Sequence, residues 1–137
     1  MNERSHSLQK IRPQILSAKI TEIMSDEERF QNQTLRPVIK LQNELFLHVF
    51  KNYIAKRKNL FYQLTPEKRL DYVTHAIQKD LKLRNSLKGM VIGQFTIVEY
   101  ETYLKSPSAV NKRMLNLVIK RIQDQIQFFE KAPLVYK

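Results

Sequence analysis

Apolar residues recur at three- and four-residue intervals along most of this chain, and each run opens on a recognisable helix start. Ser25-Asp-Glu-Glu28 and Thr96-Ile-Val-Glu99 match the capping box. In that motif a hydroxyl accepts from the backbone N–H three residues on, and the Glu reaches back to the cap's own N–H. Thr65-Pro66 and Ser106-Pro107 place a cap residue ahead of a proline, whose missing N–H costs nothing at the first helical position. The pattern predicts an all-α fold, a single-domain bundle of four to five helices.

The division it predicts is an N-terminal arm over 1–24, a helical domain over 25–131 and a loose tail over 132–137. In the arm, Ile11, Ile15, Ile20 and Ile23 are loosely spaced, and Pro13 disfavours one long helix there. The helix opening at Ser25 meets Pro37, which removes a hydrogen bond and crowds the preceding turn, so a break or kink is expected near Thr34–Arg36. Beyond it, Val38, Leu41, Leu45, Val49 and Asn52 form one stripe and Phe46, Phe50 and Tyr53 an adjoining one. A face that wide predicts a central helix covered on more than one side. The connector Leu60–Leu64 is expected to pack on the bundle. The Thr65 helix carries Leu70, Val73, Ile77, Leu81, Leu87 and Val91, with Gly89 as its natural C-cap. Met90–Phe95 is expected to be an extended or helical link. A short helix runs from Thr96 to about Leu104, and the last and longest, from Ser106, has a seam of Val110, Met114, Val118, Ile122, Ile126 and Phe129.

Composition narrows the chemistry. At 137 residues the chain can bury a core without a metal or disulfide staple, and with no cysteine it has neither disulfides nor thiolate chemistry. Two glycines and five prolines are too few for the many turns of a sandwich or barrel. The start lacks an apolar signal core and apolar stretches are short, so no membrane span and a cytoplasmic location are expected. The formal charge of +11, from 24 Lys and Arg against 13 Asp and Glu, attracts polyanions. Part of it follows helix dipoles: Asp26-Glu27-Glu28 sit at a helix start, and Lys56-Arg57-Lys58, Lys82, Arg84 and Lys88 at expected helix ends.

A basic tract escapes that account, because Lys105, Lys112, Arg113, Lys120 and Arg121 occur with no acid between Glu101 and Asp124. With Asn111 and Asn116 these residue types read bases or phosphates, and segment 96–121 has the outline of a helix-turn-helix. The alternatives for it are a solvated helix face and an ordinary helical corner. Asp80 and Arg84 interrupt the apolar stripe of the Thr65 helix, four apart and able to pair, and Asn85 adds to a polar cluster near Gly89 and Gln94. Glu44 with His48 and Asp71 with His75 are also four apart, but neither matches a Glu-x-x-His bundle site, so no metal and no cofactor are implied. No phosphate loop and no nucleophile elbow is present.

The segments Glu28-Arg-Phe-Gln-Asn-Gln-Thr-Leu-Arg-Pro37 with Ile39-Lys-Leu-Gln-Asn43, Arg84-Asn-Ser-Leu-Lys-Gly-Met-Val-Ile-Gly-Gln-Phe-Thr96 with Tyr100, Asn111-Lys-Arg-Met114 and Arg121-Ile-Gln-Asp-Gln125 carry a likeness to known proteins. From about Ile11 to Glu130 the chain resembles a family of short, uncharacterised, all-helical bacterial proteins, some labelled "glyoxalase". Glyoxalase I-type enzymes use paired βαβββ modules and His/Glu metal ligands, and the residues here supply neither, so the resemblance implies no active site. The sequence points to a non-catalytic helical binding or interaction module, through homo-oligomer or protein contacts. The alternatives are a nucleic-acid-binding protein using 96–121 and a small enzyme centred on Asp80, Arg84 and Gln94.

Overall fold

The computed structural model describes residues 2–15 and 21–130 and is all-α. The predicted tail 132–137 and Ile20 of the arm lie outside the described residues. All four expected helix starts are observed. Ser25 caps α2 (Asp26–Phe30), Thr65 caps α5 (Pro66–Lys79), Thr96 caps α7 (Ile97–Tyr103) and Ser106 precedes α8 (Pro107–Asp124). Only Thr96 completes the reciprocal capping box.

The helices outnumber the expected four to five, for three local reasons. In the arm, the Asn2 side chain accepts from Ser5 N at 2.8 Å and starts α1 (Glu3–Ile11). The Ser25 helix changes hydrogen-bond register ahead of Pro37. Arg36 N–H reaches Gln31 O, five residues back, so Gln31–Leu35 is π-helical before α3 (Arg36–Leu41) and α4 (Asn43–Lys56). The expected Thr65–Gly89 helix is in fact two, because Asp80 takes an extended backbone and accepts from Leu83 N at 3.1 Å, capping α6 (Leu81–Ile92). An aspartate that caps its own third neighbour competes with continued helix. Gly89 is therefore not a C-cap; it sits inside α6, and Gly93 ends the helix.

The hub of the bundle is α8 rather than the Val38–Ile54 segment. It packs on α4, α5, α6, α3 and the π segment, with Val110, Met114, Val118, Ile119 and Ile122 buried. On α4 the buried stripe is Phe46, Leu47, Phe50 and Ile54, whereas Leu45 and Asn52 face outward. Two aromatic clusters hold the ends of the core. Phe50, Phe61, Phe129 and Tyr72 interlock edge-to-face at one end, Phe61 and Phe129 being supplied by single 3₁₀ turns. Phe30, Phe95 and Tyr103 do so at the other. Quadrupolar edge-to-face packing adds about 1 kcal/mol per pair beyond area burial. No helix among the described residues is long and apolar enough to cross a membrane.

Candidate functional site

The most organised polar constellation joins the arm to the start of α7. Glu99, in the first turn of α7, accepts the Arg12 guanidinium bidentately, Nη1 to Oε2 at 2.5 Å and Nη2 to Oε1 at 2.6 Å. Arg12 Nη2 also donates to Gln94 O at 2.6 Å. Thr34, buried in the π segment, donates its hydroxyl to Glu99 Oε2 at 2.9 Å, and Thr96 N donates to Oε1 at 2.8 Å. The wider turn of a π segment re-aims its side chains, which is one reason such segments occur at sites of function. Arg4 completes the clamp, donating to the carbonyls of Phe95 and Gly93, both at 2.8 Å.

Burial pushes the Glu99 carboxyl up, but the Arg12 and Thr96 hydrogen bonds, the Arg12 charge and the Thr34 hydroxyl outweigh it and hold the group below its ordinary range. Both carboxylate oxygens are occupied, so Glu99 is a fixed anion and a poor proton acceptor. The constellation forms one wall of an open cleft of about 1000 Å³. Asp26 and Arg29 from α2, Lys105 after α7, and the apolar Phe30, Val98 and Val110 line the remainder. Among the described residues no three His, Asp or Glu side chains converge as a metal site would require.

The expected polar cluster does not assemble. Asp80 caps the start of α6 and Gln94 follows its end, about 20 Å away at 1.5 Å per residue. Asp80 pairs with Arg57 at 2.5 Å rather than with Arg84. The Leu83 backbone N–H, then Arg57, hold its carboxyl below the usual range despite some opposing desolvation. Arg84 donates to Gln78 O at 3.2 Å and Asn85 is exposed.

The basic tract is also divided. Asn111 accepts from the Tyr103 hydroxyl. Arg113 donates to Gln31 at 3.1 Å and lies 3.6 Å from Glu27. Arg121 donates to Asn43, and Lys120 stands 3.6 Å from Asp124. Lys112, Asn116 and Lys120, at intervals of four, form the exposed stripe, with Arg113 turned inward to α2; Lys105 is exposed at the cleft rim.

Sequence reasoning found Glu99 paired with Thr96 in a capping box but not its distant partners Arg12 and Thr34. Nothing local marks Arg12 or Thr34, because their roles depend on the arm folding back over 87 and the π segment over 65 residues of chain. No family model, curated relative or solved structure matches the chain.

Proposed function

We propose that this protein is a non-catalytic helical interaction module whose contact face is α7 with the adjoining cleft wall, and whose partner is a second copy of the chain. The observation that carries the reading is the outer face of α7, where Ile97, Val98, Tyr100 and Leu104 are 48%, 66%, 42% and 53% exposed. Clustered apolar exposure of this kind marks protein contact surfaces. Ile11, beside the Arg12 clamp, is exposed as well. A stable interface takes about 800 Å² from each side. A seven-residue helix exposes less, so the contact extends onto Ile11 and the cleft rim. Glu101 and Lys105 lie one turn apart, and a two-fold pairing of α7 sets each acid near the partner's base.

Two features favour this reading over the others. Glu99, the buried carboxylate of the cleft, has no lone pair left for proton transfer. Asn111 and Arg113 are engaged within the fold, which weakens a base-reading face on 96–121. Sedimentation velocity across a concentration series tests the proposal. A shift from monomer to dimer is expected, abolished by Val98→Asp with Leu104→Asp while the circular dichroism spectrum is kept. A monomer at every concentration, or a dimer indifferent to those substitutions, refutes it.

A further inference from the structure

A second recess lies between α3 and α8, of about 170 Å³, lined by Ile15, Arg36, Ile39, Leu117, Lys120, Arg121 and Asp124. Its two arginines are each held from behind by a side-chain amide. Arg36 Nε donates to Asn32 Oδ1 at 3.0 Å, and Arg121 Nε donates to Asn43 Oδ1 at 2.9 Å. Asn43 is itself fixed by Gln125, with Asn43 Nδ2 donating to Gln125 Oε1 at 2.9 Å and Gln125 Nε2 donating back to Asn43 Oδ1 at 2.5 Å. Gln125 Nε2 also donates to Arg121 O. An arginine anchored through Nε keeps both terminal nitrogens for a ligand, and among the described residues no acceptor takes them.

The recess carries three cations and one carboxylate, Asp124, which stands 3.6 Å from Lys120. The surplus matches a dianion better than a monoanion. The volume is room for about six waters, enough for a phosphate group with a small substituent against Ile15, Ile39 and Leu117. We propose that this recess is an anion site for a phosphate group borne by a small soluble molecule, gripped by the forks of Arg36 and Arg121 with Lys120 at its mouth. Planar forks acting together on one oxyanion are the geometry that charge-assisted recognition of phosphate uses. The site is separate from the α7 face and independent of the interaction reading, so variants of either surface should leave the other's behaviour unchanged.

The test is titration of the whole chain with inorganic phosphate, followed by NMR at the arginine Nε–H resonances and by calorimetry. Arg36 and Arg121 resonances are expected to shift saturably, sulfate to compete, and acetate to bind at least tenfold more weakly. Arg36→Gln or Arg121→Gln should each weaken phosphate binding by about tenfold or more, the size expected for losing a charged hydrogen-bonding group. Phosphate also stabilises proteins generally by exclusion from their surface. A thermal shift that persists undiminished in the double variant, or absence of saturation up to millimolar phosphate, would therefore overturn the proposal. If the double variant fails to fold, Arg121→Lys decides, since it keeps the charge, removes the fork and should still lose affinity. Glycerol 3-phosphate and phosphatidate vesicles separate a free monoester from a lipid headgroup. The first should need both arginines, and the second, drawn by the overall charge of +11, should not. The reverse pattern overturns the assignment to a soluble phosphate.

Discussion

Replacing Arg12 with alanine leaves Glu99 among buried neighbours with its counter-charge gone. The two side chains are only 8% and 14% exposed, so this is a buried pair rather than a surface ion pair. Removing one partner of such a pair costs about 3–5 kcal/mol, chiefly because the remaining charge is stranded. Thr34 and Thr96 still donate to Glu99, which places the expected loss near the lower end, about 3 kcal/mol. For a domain of this size that is a fall in Tm of about 10 °C. Urea unfolding at several pH values reads the effect. In the parent, the folded Glu99 carboxyl lies below its ordinary value, so its contribution is present above the unfolded carboxylate range and is lost as pH falls through the folded value. In the variant the Arg12 hydrogen bond and charge, both of which lower the value, are missing, so the carboxyl shifts toward the protonated form. The stability gap between parent and variant should therefore be widest at neutral pH and close as the pH drops below about 4. A gap under about 1 kcal/mol that is the same in acid and at neutrality would show that water reaches Glu99 and that the pair does not hold the arm. Adding Glu99→Gln to Arg12→Ala should recover part of the loss, as expected for two directly coupled groups.

The two glycines should respond in opposite directions to alanine. At Gly89 an added Cβ meets nothing within 4 Å, so Gly89→Ala should gain about 0.5–1 kcal/mol of helix propensity, whereas at Gly93 the Cβ would lie 2.9 Å from Gly89 O and the Tm should fall. Equal shifts in differential scanning calorimetry would contradict this. Arg84→Ala should change stability by less than about 0.5 kcal/mol, since its contact is one exposed carbonyl. Asp80→Ala should lower the Tm at pH 7 by removing the α6 cap and the Arg57 pair. That deficit should shrink as pH falls through the depressed value of the parent's carboxyl. A melt unaltered by Asp80→Ala would mean that α6 needs no cap.

Legibility in the sequence followed the range of the interaction. Ser25, Thr65 and Thr96 announce helix starts because a cap is satisfied within three residues of itself, Ser106 does so through the proline that follows it, and the α8 seam is legible because helical periodicity repeats over five turns. Pro37 likewise signalled the break ahead of it, since a missing N–H is a property of one residue. Asp80 was read as half of an ion pair four residues long. Its cap on Leu83 is local, but its ion-pair partner is Arg57, just beyond the end of α4, which no local pattern encodes. The end of α4 shows the same limit: Lys58 and Asn59 both take left-handed backbone, with φ of 60° and 56°, where no glycine marks the turn.

The chain's charge, its lack of cysteine and its helical class were thus determined by the sequence alone, because composition and periodicity are one-dimensional quantities. Only the tertiary structure decided which charges are spent. It folds Arg12 onto Glu99, turns Arg113 to α2, and brings Arg36 and Arg121 into the lining of one recess. Electrostatic energy depends on separation in space and on exclusion of water, and both are fixed only when distant segments pack together.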